Sequence, residues 1–150
     1  MATLIRATEI ILVDYRAQRA VLGRRLVEPF KNQLIGFGGK VEEGETHIAC
    51  AIRETFEEAC VRVARSHMKH IGVLITDSFL VQVYVATRWT GVPTKTATME
   101  PVWVSLLAPY PDALPPEMVH LMEVVARKRR GMRMVVRAHT AAVTVSFPYQ

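Results

Sequence analysis

The chain has 150 residues, half of them hydrophobic and 22% charged, and carries a net charge of +5 from 19 Lys+Arg against 14 Asp+Glu. That describes one globular domain, residues 1–150, with enough chain to bury a core. No apolar run approaches the ~18 residues of a helical membrane span, and Arg6 and Glu9 interrupt any signal-peptide core, so the expectation is a cytoplasmic protein with no membrane partner.

Leu4 to Val13 is rich in Ile, Leu and Val and predicts a strand; Asp14 to Arg19 turns, and Ala20 to Leu26 returns as its hairpin partner. Val27 to Leu34, with Pro29 and Asn32, reads as a loop that leads into the stretch from Gly36 to Val61. There Gly36, Gly38 and Gly39 suggest a tight glycine-rich turn, Gly44 closes a short loop, and Thr46 is placed to cap a helix. Beyond it, Arg62 to Ile75 should contain a strand, Asp77-Ser78 a turn and Phe79 to Arg88 a cleanly alternating strand. Trp89 to Thr98 is loop-like, Val102 to Leu106 a short strand, and the prolines from Pro109 to Pro116 a rigid connection. Pro115-Pro116 opens a second helix whose buried stripe is Met118, Leu121, Met122 and Val125. Met132 to Arg137 and Ala142 to Phe147 follow as strands, which makes a mixed sheet with helices on both faces.

Glu54, Glu57 and Glu58 stand at i, i+3 and i+4 on the first helix, within an arc of about 100°. Carboxylates so placed repel unless a cation sits among them, and their hard oxygens suit Mg²⁺ or Mn²⁺. Ile48, Ile52 and Phe56 recur every four residues on the same helix; they either widen its core face or form a stripe that a second subunit covers, which leaves a homodimer open. Cys50 and Cys60 lie on this helix about 15 Å apart, too far for a disulfide, and no zinc spacing is present. Arg127, Lys128, Arg129, Arg130, Arg133 and Arg137 crowd one segment. They complement a helix C-terminus or, less favoured, attract a polyanion such as RNA.

The stretch Gly36 to Val61 resembles the Nudix box, a pattern of G, five residues, E, seven residues, then R-E-U-x-E-E-x-G-U with U apolar. Gly39, Glu45, Arg53, Glu54, Glu57, Glu58 and Val61 fall in register, while Thr55 replaces an apolar residue and Cys60 the last glycine. A glycine there normally ends the helix left-handed, where a Cβ costs about 1 kcal/mol or more. Residues Gly23 to Gly36, the Pro101-Val102-Trp103 stretch and the proline-led second helix resemble the MutT-like branch that hydrolyses oxidised purine nucleoside triphosphates.

The resemblance implies an α/β/α sandwich and a Mg²⁺-dependent (or Mn²⁺-dependent) pyrophosphohydrolase acting on a small-molecule nucleotide such as 8-oxo-dGTP, releasing the monophosphate and pyrophosphate. It implies Glu54, Glu57, Glu58 and the Gly38 carbonyl as metal ligands, with Arg53 holding a box carboxylate and Glu45 orienting the loop. Gly39 and Lys40 would meet the phosphates. The general base is Glu57, Glu58 or Glu100, the last expected in the loop before Trp103. In that branch an Asn commonly reads the base where this chain has Ile35, and Pro115 takes the place of the usual stacking aromatic, so Glu117 is left as the polar base reader. The alternatives are another Nudix substrate (ADP-ribose, a dinucleotide polyphosphate or an RNA 5′ end) and a non-catalytic Nudix fold that binds RNA or protein.

Overall fold

A computed structural model describes residues 3–127, 133–139 and 142–149 of the chain. Nine strands and two helices follow in the order β1 (Ile5–Asp14), β2 (Arg19–Arg25), β3 (Leu34–Ile35), β4 (Phe37–Lys40), α1 (His47–Ala59), β5 (Met68–Ile75), β6 (Phe79–Ala86), β7 (Met99–Ser105), α2 (Pro116–Arg127), β8 (Arg133–His139) and β9 (Ala142–Tyr149). The strands form one mixed sheet in the order β3-β2-β1-β6-β5-β8-β9, with β4 added to β1 and β7 to β2. The β1–β6 and β5–β8 pairs are parallel and the others antiparallel.

β1 is the axis of the molecule, and its apolar run reflects burial on both faces. Successive side chains alternate: Ala7, Ile11 and Val13 join a core with Met118, Leu121, Met122 and Val125 of α2, whereas Ile10 and Leu12 join a second core with Ala51 and Ala59 of α1. The helices therefore cover opposite faces, as the sequence pattern implies. The four residues of the α2 stripe are all buried, each contributing about 1.5–3 kcal/mol of transfer energy before entropy is set against it.

Three expectations change. The glycine segment is a strand, not a turn: Phe37–Lys40 pairs with β1 through Glu9↔Gly38 and Thr8↔Gly39. It lies so close that a Cβ on Gly38 would overlap the Thr8 carbonyl, so glycine serves here for close approach. β7 starts at Met99, which puts Glu100 inside a strand opposite Arg24 rather than in a loop. The outer stripe of α1 divides, since Ile48 packs on the α1-side core while Phe56 is exposed. In the basic segment, Arg127 occupies the last turn of α2 and Arg137 lies on β8. Lys128, Arg129, Arg130 and Met132 lie outside the described residues, as does the side chain of Arg133.

Candidate active site

α1 is built to hold its charged face still. Thr46 caps its start by accepting a hydrogen bond from the Ala49 amide at 3.1 Å. At its end Cys60 adopts φ 60° and ψ 23°, the left-handed conformation that glycine favours, and its amide bonds the Phe56 carbonyl at 2.9 Å. Thr55, where an apolar residue is usual in the motif, is fully buried and donates its hydroxyl to the Ala51 carbonyl at 2.7 Å. Cys50 is buried and Cys60 exposed, and neither is in a disulfide.

Arg53 is the hub of the exposed face. It donates to both oxygens of Glu45, Nε to Oε2 at 2.8 Å and Nη2 to Oε1 at 3.0 Å, while its Nη1 reaches Glu54 at 2.9 Å and Glu57 at 3.2 Å. Nη2 also donates to the Lys40 carbonyl at 3.3 Å, tying the helix to the end of β4. The guanidinium holds Glu45 down at a pKa of about 2 and is itself held firmly protonated by that carboxylate. Glu58 points inward, accepts the Gly38 amide at 2.8 Å and meets Arg25 at 3.7 Å. Burial nonetheless raises Glu58 to about 7, against the lowering effect of the Gly38 amide, and burial also raises Glu54.

The three box glutamates are thus not gathered on one point. Among the described residues no three His, Cys, Asp or Glu side chains are arranged as a ready metal cage. Glu54 and Glu57 share Nη1 of Arg53, while Glu58 turns to Arg25 and the Gly38 amide. The donor set still fits a divalent cation: hard oxygens only, two of them on carboxylates whose burial makes added positive charge favourable. Gly39 is pressed against the Glu54 carboxylate, where a Cβ would collide with it. Lys40 ends β4 exposed, and no ion pair joins its side chain to a carboxylate among the described residues. No hydrogen bond or ion pair joins Glu100 to this group among the described residues.

On the other face of the sheet lies a cavity of about 170 Å³ between β1, β3, β6 and the start of α2, lined by Glu9, Phe30, Ile35, Phe79, Glu117 and Met118 among others. Ile35 and Glu117, the two residues expected to meet the base, are brought together here. Three partners escaped the sequence reading. Glu9 is buried, accepts the Gly36 amide at 2.6 Å and is pushed up to about 7 by burial, with Glu117 adding to the rise. Phe30 and Phe79 supply the aromatic surface that the Pro115 position lacks. Arg25, beside Glu58, is a further partner. A lone Glu inside the run ATEIILV was the available signal for Glu9, because an acid in the core phase of a strand needs a reason.

Residues 4–127 match the model of the NUDIX domain. The chain is 34% identical over 115 residues to the oxidized purine nucleoside triphosphate hydrolase of Mus musculus, covering 73% of each chain. A MutT protein from Bacillus halodurans superposes with a TM-score of 0.75 at 18% identity, over 95% of this chain and 98% of that one. A MutT NUDIX hydrolase from Burkholderia pseudomallei does so with 0.70 at 22% identity, over 83% and 99%.

Proposed function

Because the chain belongs to the NUDIX family and is a Nudix hydrolase, we propose that its substrates are nucleoside triphosphates, oxidised purines such as 8-oxo-dGTP among them, and that Mg²⁺ is its cation. The observation that carries this reading is the strand linking the two faces. The Gly36 amide bonds Glu9 in the cavity, and two residues on the Gly38 amide bonds Glu58 of the carboxylate face. A base in the cavity would therefore leave its phosphates beside α1. The relative named as an oxidized purine nucleoside triphosphate hydrolase supports the same substrate class.

Glu54, Glu57, Glu58 and the Gly38 carbonyl are the oxygens that would hold the cation, which supplies neutralisation of the phosphate oxygens and a more acidic water. Arg53 keeps Glu54 and Glu57 in place through Nη1 and cannot be replaced by a point charge, since one planar group serves both oxygens of Glu45 as well. Glu57, the most exposed of the box glutamates at 54% of its side chain, is our choice of proton acceptor for the attacking water. As water adds to the α-phosphorus, the bond to the bridging oxygen breaks and pyrophosphate leaves with that electron pair. In the cavity, Glu9 and Glu117 would meet N–H groups of a purine edge, with Phe30 and Phe79 against its faces.

A turnover screen tests this reading with 8-oxo-dGTP, dGTP, dATP, ADP-ribose and a dinucleoside polyphosphate, each with Mg²⁺, with Mn²⁺ and with EDTA. The expected result is monophosphate and pyrophosphate from the triphosphates and none with EDTA. Preference for ADP-ribose, or turnover indifferent to EDTA, would reject it.

A further inference from the structure

The outer side of α1 borders a second recess, separate from the Glu9–Glu117 cavity and about 500 Å³ in volume. Ile52 and Phe56 of α1 and Trp89 beyond β6 give it apolar surface, Arg62 and Arg88 give it positive charge, and His67 adds a polar ring. Its two outer segments are tied by paired backbone bonds, Arg62 N to Thr90 O at 3.0 Å and Thr90 N to Arg62 O at 2.9 Å. Phe56 is 42% exposed, and the Arg62 guanidinium stands 4.1 Å from the centre of its ring. Neither Arg62, His67 nor Arg88 has a carboxylate partner among the described residues. Arg53 and Glu57 form one wall, so the recess runs up to the carboxylate face.

Arginines without a carboxylate, beside the exposed Phe56 and the partly buried Trp89, call for a ligand that is both anionic and planar. A second copy of this chain is a poor occupant, since each copy carries +5. The volume lies within the range of about 300–1,000 Å³ common for small-molecule sites. We propose that this recess is a second nucleotide site, taking a phosphorylated nucleoside with its phosphate on Arg62, Arg88 and His67 and its base against Phe56 and Trp89. Such a unit comes either as a free nucleotide or as the far half of a dinucleoside polyphosphate whose bridging phosphates lie at α1; only the second source rests on the hydrolase reading above.

Trp89 and Trp103 are the chain's two tryptophans, so Trp103→Phe leaves Trp89 as a local reporter. AMP titrated into that protein without metal should quench Trp89 saturably, and Arg62→Ala with Arg88→Ala should weaken the binding roughly tenfold or more. Arg137→Ala, on β8 beside Ile75 at the opposite end of the sheet from Ala86, should not. The absence of quenching, equal quenching by inorganic phosphate, or binding indifferent to the two arginines would overturn the proposal. So would a dimer on sizing that Phe56→Glu dissolves, because a second copy would then fill the recess. A KM for diadenosine tetraphosphate raised by the arginine changes, with that for nucleoside triphosphates unmoved, assigns the far half of a long substrate. Unmoved KM values together with AMP binding assign a free nucleotide. The binding arm needs no turnover, so its outcome stands apart from that of the hydrolase reading.

Discussion

Around Arg53, four carboxylates share one guanidinium: Glu42 at 3.7 Å, Glu45 at 2.8 Å, Glu54 at 2.9 Å and Glu57 at 3.2 Å. Across the sheet, Glu9 lies beside another acid, Glu117, with one backbone amide for company and no cation paired to either among the described residues. The same side-chain chemistry is driven in opposite directions, Glu45 down to about 2 and Glu9 up to about 7. On the α1 side the Arg53 guanidinium keeps Glu45 charged although burial raises Glu54 and Glu58, while in the cavity Glu9 has no such cation and holds its proton almost to neutrality. Which carboxylates stay charged is set by neighbours rather than by residue type.

The contrast is most exposed to test at Glu57. Glu57→Gln should lower turnover at least ~100-fold while the melting temperature stays put, because the side chain is exposed and its charge serves the cation. A variant that keeps half its activity would remove Glu57 from the site.

Glu9 probes the other side through stability. Its folded pKa, about 7, lies above its ordinary value of 4.5, so the fold binds the proton more tightly than the unfolded chain. The stability this contributes is complete below the unfolded value and is lost as pH rises to about 7. Glu9→Gln, which keeps the acceptor for Gly36, should therefore be more stable than wild type at pH 8 by on the order of 2 kcal/mol. The gap should close by pH 4.5 in chemical denaturation. A gap that does not vary with pH would show that Glu9 is not protonated by burial.

Selectivity gives a smaller number. Ile35 has no side-chain donor or acceptor for the base, so Ile35→Asn should raise the 8-oxo-dGTP over dGTP ratio of kcat/KM by roughly tenfold. Glu117→Ala should flatten the ratio with the metal dependence unchanged. Strong wild-type selectivity that survives Glu117→Ala would place the base elsewhere. Smallest of all, Cys60→Gly relieves a left-handed Cβ and should raise stability by about 1 kcal/mol with turnover unmoved. A lower melting point would mean that the thiol packs usefully where it is.

How far the sequence could be read follows the same divide. Arg53, Glu54, Glu57 and Glu58 lie within two turns of one helix, so their shared face is a matter of periodicity, and Thr46 and Cys60 mark its ends. The cavity draws on β1, the loop before β3, β6 and α2, segments whose meeting depends on the whole sheet order. Spacing along the chain carries no trace of that meeting, which is why Phe30 and Phe79 went unread; Glu9 alone left a mark, as an acid in the core phase of β1. The glycine strand failed for another reason. Gly38 and Gly39 suppress every strand propensity, and only the nearness of Thr8 and Glu54 shows why side chains are missing there.

That strand also bears on how a descendant of this chain could change. Gly36 is pressed against Glu9, Gly38 against Thr8 and Gly39 against Glu54, so each glycine answers to a different neighbour. Ile35, Glu9, Phe30 and Glu117 line the cavity from their own segments, and no hydrogen bond or ion pair joins any of them to Arg53 among the described residues. Descent could exchange these four, one at a time, for the readers of another base while the helix chemistry ran on unaltered. The three glycines have no such latitude, because replacing any of them disturbs a part that the others leave alone. The cavity wall can therefore change residue by residue, while the short segment between the two faces is held by three separate neighbours at once.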